Sequence, residues 1–346
     1  LQTFIISILV FGVIIFVHEF GHFALAKMTG IRVEEFSLGM GPKIIGHQKG
    51  ETLYSIRALP LGGFCKLTGE NFEENEDVPD EKRFDQKPLW ARMAVIVSGS
   101  LMNFLLAAVI FALIFSVIGI PQDYTNKIGE VLPGSAAEEA GLKPGDIITS
   151  INDVPVENWT ELTTVIHNRP NEQVLLGVQR ETQTFTIPVV PQFDQNREIG
   201  MIGIAPREAI WQRINIFDGI VKGFTETFRL TGAMIEQLIL LVTGKVSAEG
   251  VAGPVGIIQL IGQSARYGLV YVANLTAVIS VNLGLINLLP IPALDGGRFF
   301  FLLVEGILRR KVNPEKENLI HFLGFALLMA LMIFITYKDI ARLLMG

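Results

Sequence analysis

Phe4-Ile5-Ile6-Ser7-Ile8-Leu9-Val10-Phe11-Gly12-Val13-Ile14-Ile15-Phe16-Val17 runs without a break into His18-Glu19-Phe20-Gly21-His22. The first part is long and apolar enough to be a membrane-spanning helix. The second part is an H-E-x-x-H pattern. On a helix it sets two imidazoles at i and i+4, one turn apart on the same face. Two such His side chains suit adjacent positions on Zn²⁺, and the Glu between them is placed to act on a water at the metal. A soluble metalloprotease has no need of such a run, whereas a protease working in a bilayer does. The run has no basic leader and no A-x-A-type cleavage site, so it reads as a retained transmembrane helix rather than a signal peptide. The absence of an initiator Met is read as slight N-terminal trimming.

The composition agrees. Half of the 346 residues are apolar and 18% are charged, with a mean hydropathy of +0.45. Such a balance points to an integral membrane protein carrying some water-facing mass. The net charge of −6 has no basic block, which excludes electrostatically driven nucleic-acid binding. Cys65 is the single cysteine, so no intrachain disulfide and no Cys-based zinc site can form.

Four spans are expected, at about Phe4–Ala26, Ala91–Ile118, Leu269–Leu289 and Leu319–Thr336. Phe217 to Val242 mixes Lys222, Glu226, Arg229 and Glu236 with large apolar residues. It reads as an amphipathic helix lying on the membrane, the alternative being an ordinary soluble helix. Lys and Arg cluster from Arg32 to Lys87 and from Arg298 to Lys316. The positive-inside rule then puts 28–90 and 290–318 in the cytoplasm, and both termini and 119–268 outside. His18 lies about 21 Å along a helix entered at Phe4, so the metal is expected inside the membrane, nearer the cytoplasmic side. Residues 124–190 change character. Short strands at 128–131, 146–151 and 185–189, helices at 136–140 and 159–168, and turns at Gly134, Gly141–Asp146 and Asn152-Asp153 describe a small α+β domain. Residues 71–85, acidic from Asn71 to Asp77, read as a solvated loop.

Two His residues do not complete a catalytic zinc site, which takes three protein ligands. The best third candidate is Asp295, in Asn287-Leu288-Leu289-Pro290-Ile291-Pro292-Ala293-Leu294-Asp295-Gly296-Gly297. A carboxylate at membrane depth costs about 2.5–3.5 kcal/mol unless compensated, and Zn²⁺ compensates it. The alternative is a helix-capping or turn Asp at the surface. Glu19 is the general-base candidate, the alternative being a Glu in a polar network between spans. His47, His167 and His321 have no partner at metal-ligand spacing, and Cys65 reads as a small buried residue. Leu53 to Leu59 alternates like a strand, and Pro60-Leu61-Gly62-Gly63 turns it into Phe64–Leu67. Such a hairpin offers an edge for extended substrate or is simply structural. Asn282 and Asn287 on the third span are either interhelical glue or donors to unwound substrate backbone.

These motifs together resemble the site-2 proteases, in particular the bacterial RseP/RasP-type intramembrane zinc metalloproteases. His18-Glu19-Phe20-Gly21-His22 resembles their first motif and Asn287 to Gly296 their N-x-x-P-x-P-x-L-D-G motif. Pro60–Phe64, Ser98-Gly99-Ser100-Leu101-Met102-Asn103-Phe104 and Gly253-Pro254-Val255-Gly256-Ile257 also match family signatures. The resemblance implies His18, His22 and Asp295 as zinc ligands and Glu19 as catalytic acid/base. It also implies substrate handling by Asn282, Asn287, Gly39, Gly41, Tyr54 and Ile56. Ile128–Pro191 resembles a single PDZ domain, with Gly134–Ala137, Ala140–Leu142 and Pro144–Asp146 as its core. The family implies regulated intramembrane proteolysis of anti-sigma-factor-like proteins and signal-peptide remnants, with the PDZ domain sensing trimmed substrate ends.

The expected architecture is therefore a polytopic α-helical membrane protein with four transmembrane helices, a membrane-associated β-hairpin and an inserted extracytoplasmic α+β PDZ domain. Its segments are 1–27 (first span), 28–90 (hairpin and acidic loop), 91–119 (second span) and 120–206 (PDZ domain). They continue with 207–266 (amphipathic surface region), 267–297 (third span), 298–317 (cytoplasmic loop) and 318–346 (fourth span and tail). A catalytically silent membrane PDZ scaffold is the competing reading; its expected mark, loss of His18, Glu19, His22 or Asp295, is absent from the sequence.

Overall fold

A computed structural model describes residues 2–70, 78–194, 198–246, 252–310 and 313–345. The acidic stretch Asn71–Asp77 lies outside the described residues. The chain divides into two compact units, residues 1–114 with 216–346, and residues 115–215.

The first unit opens with α1 (Gln2–Met28). Gly30, at φ 71°, ends it, with Ile31 N–H returning to the Ala26 carbonyl at 2.8 Å, a left-handed C-terminal stop. β1 (Val33–Lys49) and β2 (Thr52–Leu67) follow. Their pairing is richer than a hairpin, because each strand is used twice. Phe36 faces Cys65 on one side and Tyr54 on the other, and Tyr54 in turn faces His47. In space the runs order as 43–49, 52–57, 35–38 and 63–67. Tyr54 and Ile56 are thus paired on both sides, whereas Gly63–Leu67 pairs only with β1 among the described residues. The expected turn at Pro60–Gly63 is where β2 changes partner, with Gly62 at φ 89°. α2 (Leu89–Val117) is the second long apolar helix.

The second unit holds β3 (Ile120–Tyr124), β4 (Ile128–Val131), α3 (Ala136–Glu139), β5 (Ile147–Ile151), β6 (Val154–Pro155), α4 (Trp159–His167), β7 (Val174–Arg180), β8 (Gln183–Val189), β9 (Gln192–Asp194), β10 (Ile199–Met201), β11 (Ile204–Pro206) and β12 (Ala209–Gln212). A four-stranded sheet runs β6-β5-β7-β8. Asn152 and Asp153, both at positive φ, make the β5–β6 turn, as a two-residue hairpin requires. Ile128, Ile148, Leu162, Val174, Leu176 and Val178 are fully buried in its core. Asn158 caps α4, its side chain accepting Glu161 N–H at 2.9 Å. Asp146 is buried and paired with Arg180 at 2.7 Å.

The chain returns to the first unit with α5 (Ile216–Val242), α6 (Pro254–Tyr267), α7 (Leu269–Leu288), α8 (Asp295–Leu308) and α9 (Pro314–Met345). α1, α2, α7 and α9 are long and apolar enough to cross a membrane. Two expectations change. The segment 298–317, read as a loop, continues α8 as far as Leu308; its helical signal is short and follows two glycines. The surface region 207–266 also packs more deeply than amphipathicity suggested. Gly223 of α5 seats against the Ala108 carbonyl of α2, about 14 Å in from that helix's end. Ile261 of α6 is fully buried with Val10 and Ile14 of α1.

Candidate active site

The helical period puts His18 and His22 side by side on the buried face of α1, their ring planes 81° apart and centroids 4.9 Å apart. α2 crosses closely at this point. A Cβ on Gly21 collides with the Ser98 carbonyl, and a Cβ on Gly99 collides with both imidazoles. Only glycine leaves room there. The reward of that approach is a backbone acceptor: His22 Nδ1 lies 2.8 Å from the Val95 carbonyl. A carbonyl accepts only, so Nδ1 carries the proton and Nε2 keeps its lone pair.

Asp295 arrives from the other end of the sequence as the first residue of α8. The chain between α7 and α8 is bent by Pro290 and Pro292, and Ala293 sits at φ 77°, a strained position for a residue with a Cβ. Ala293 N–H donates to His321 Nδ1 of α9 at 2.9 Å, which anchors the bend. Asp295 Oδ2 is then 3.1 Å from His18 Nε2 and 3.3 Å from His22 Nε2, and the two Nε2 atoms are 3.3 Å apart.

Those three atoms test the metal reading directly. Asp295 Oδ2 is buried and accepts no geometrically sound hydrogen bond; with both imidazoles neutral and their protons on Nδ1, its short distances to the two Nε2 atoms are approaches between acceptors. Three converging lone pairs repel one another unless a cation lies between them. Tetrahedral zinc with bonds of about 2.0–2.1 Å separates its ligand atoms by about 3.3–3.4 Å, which fits the observed spacing. His18, His22 and Asp295 form the metal-competent group among the described residues.

Glu19 lines the same cavity, of about 390 Å³, beside the three ligand atoms. Cys65 lines the cavity with it, and Gly63 passes against the Glu19 Cγ. The outer run Gly63–Leu67 of the β1–β2 sheet therefore borders the site. Phe64, Cys65, Lys66, Glu70 and Arg298 complete the wall, with Arg298 ion-paired to Glu70. Burial and the neighbouring Glu19 push the Cys65 thiol up, so it stays neutral and inert.

Other expected site residues lie apart. Asn282 is exposed on α7 and Asn287 half-buried near its end. Gly39 and Gly41, at φ 85° and 82°, shape the bend in β1. Tyr54 packs on Phe23 and Phe36, and Ile56 is exposed. None of these six lines the cavity. Sequence reasoning did not bring Arg298, Glu70 or His321 to the site. Arg298 follows Asp295-Gly296-Gly297 and could have been found as the first charge after the motif. Glu70 and His321 carry no local signal.

The profile of Peptidase family M50 matches residues 6–331. A relative from Clostridium acetobutylicum is 39% identical over 336 residues, covering 97% of this chain and 96% of its own. The "Regulator of sigma-W protease RasP" of Bacillus subtilis is 33% identical over 423 residues, covering 99% of each chain. The "Zinc metalloprotease RasP" of Geobacillus kaustophilus is 34% identical, covering 99% of this chain and 98% of its own. The PDZ domain of an SdrC-like protein from Listeria monocytogenes aligns with 25% of this chain and 88% of its own, at 19% identity and a TM-score of 0.21. With a metal-competent triad beside an H-E-x-x-H glutamate, and relatives matched nearly end to end, the chain belongs to peptidase family M50, the site-2 protease family, and is a zinc metalloprotease of the membrane.

Proposed function

We propose that this protease cleaves the transmembrane segments of single-pass membrane proteins inside the bilayer, with His18, His22 and Asp295 as its zinc ligands and Glu19 as its acid/base. The observation that carries this reading is the convergence of three buried acceptor atoms within 3.3 Å of one another, on a helix apolar enough to span a membrane. Zinc, when bound, supplies Lewis-acid polarisation of the scissile carbonyl and lowers the pKa of a water towards about 7. Glu19 takes a proton from the attacking water as the new C–O bond forms. It then delivers that proton to the amine as the C–N bond breaks.

Cleavage needs substrate in extended form, and Gly63–Leu67 supplies a strand edge beside Glu19 on which it can pair. Gly39, Gly41, Tyr54 and Ile56 support that sheet from behind. Asn282 and Asn287 on α7 offer amides to substrate backbone on its way to the cavity. Charge distribution supports both termini and the 120–206 domain outside the cell membrane, with the site nearer the cytoplasmic side. In this arrangement residues 128–191 act as a PDZ domain that admits substrates already trimmed by another protease. Anti-sigma-factor-like proteins and signal-peptide remnants are the substrate classes. The test is reconstitution of the full chain in liposomes with a single-pass reporter. Wild type should cut within the reporter's membrane segment. Cutting confined to its water-exposed parts defeats the intramembrane reading.

A further inference from the structure

Both imidazoles of the metal centre lean on α2, but only one contact is chemically resolved. His22 gives its Nδ1 proton to the Val95 carbonyl. His18 turns Nε2 towards the same centre, so it too must carry its proton on Nδ1, and a buried proton of that kind needs an acceptor. The group facing His18 Nδ1 is the Asn103 side-chain nitrogen, at 3.2 Å. In that orientation an N–H faces an N–H. At the same time the Asn103 Oδ1 is buried without a partner. Turning the amide by 180° exchanges nitrogen and oxygen in place. The oxygen then accepts from His18 Nδ1–H, and both mismatches disappear.

The amide is held where this requires it. Asn103 is completely buried. Its backbone carbonyl accepts from Ser280 Oγ of α7 at 2.8 Å, and Gly284 lets α7 close on its Cβ.

We infer that Asn103 is a positioning residue whose amide oxygen fixes His18 in the tautomer that presents Nε2 to the metal. The inference rests on His18 being a zinc ligand. It is tested on the full-length chain in detergent by zinc competition against a chromophoric chelator, comparing wild type with Asn103→Leu, Asn103→Asp and His18→Ala. Asn103→Leu has no acceptor and should bind zinc about 10–100-fold more weakly. Asn103→Asp keeps an acceptor oxygen in the same place and should stay within a few-fold of wild type. Wild-type affinity in Asn103→Leu overturns the inference, and so does an equal loss in both variants, which marks a packing role. Thermal melts of the chelator-stripped chains establish that each variant is folded. If Asn103→Leu is not, Asn103→Asp decides alone, a tenfold loss counting against. His18→Ala separates the two levels: zinc retained there defeats the ligand reading itself, whatever Asn103 does.

Discussion

Glu19 and Asp295 are both carboxylates in one cavity, and the proposed mechanism gives them different work. Asp295 Oδ2 has only the two Nε2 atoms before it, a ligand's environment. Glu19 instead lies against the Gly63 backbone and beside Cys65, next to the centre rather than in it. Glu19→Gln should therefore keep about one zinc per chain and lower cleavage of a transmembrane reporter about 10²–10⁴-fold. Asp295→Ala should lose stoichiometric zinc as measured by metal analysis, because two imidazoles alone do not hold a catalytic ion tightly. In the 115–215 unit, Asp146 supplies a separate pH test. Burial raises its carboxyl, but Arg180 and the Lys143 N–H outweigh that and hold it below the usual carboxylate range. A depressed folded-state value gives stability that is present above the unfolded pKa of about 3.9 and is lost as pH falls through the folded value. Asp146→Asn should flatten the acid limb of that unit's unfolding profile, read by circular dichroism between pH 5 and pH 2 on a scale of about pH units.

At the scale of elements, the site depends on how closely α1, α2 and α8 approach. Gly99 leaves no room for a Cβ under the imidazoles, so Gly99→Val should push His18 and His22 away from Asp295. Zinc affinity should fall at least tenfold, measured by chelator competition. α8 is tied to α2 by Arg92, whose guanidinium bonds both oxygens of Glu305 at 3.0 and 2.5 Å. Both groups are largely shielded from solvent. Removing one partner of such a pair leaves an uncompensated charge and costs about 3–5 kcal/mol. Arg92→Met should lower the melting temperature in detergent, and Arg92→Met with Glu305→Met should recover part of the loss. A double variant no better than the single one would show that the pair does not couple these helices.

For the molecule as a whole, the chain divides into a membrane unit and an inserted unit, and the proposed function gives chemistry to the first and selection to the second. All the zinc-competent atoms and Glu19 belong to the first unit, so deleting 120–206 with a short Gly/Ser bridge should leave zinc stoichiometry unchanged. In the proposed gating role, the deletion should broaden cleavage to substrates that have not been trimmed. Unchanged selectivity between trimmed and untrimmed reporters, read by gel mobility, would count against the gate.

The sequence alone makes legible the four long apolar helices, the α+β character of residues 124–190, and the pairing of His18 with His22, because these follow from local periodicity and turn chemistry. It also supplied Asp295 as a candidate, with a capping role left open. The tertiary structure brings Asp295 within 3.3 Å of imidazoles some 270 positions away through the bend at Ala293 and its anchor on His321, a placement that supports the proposed ligand role. It likewise moved the strand edge from Tyr54–Leu59 to Gly63–Leu67, because β1 pairs with β2 on both sides, a register that alternation within one strand does not specify. Val95 and Glu70 remained silent for the same reason, and Asn103 stood only as part of a signature without a role: a carbonyl, a single acid and an amide acquire meaning only from what the fold sets beside them.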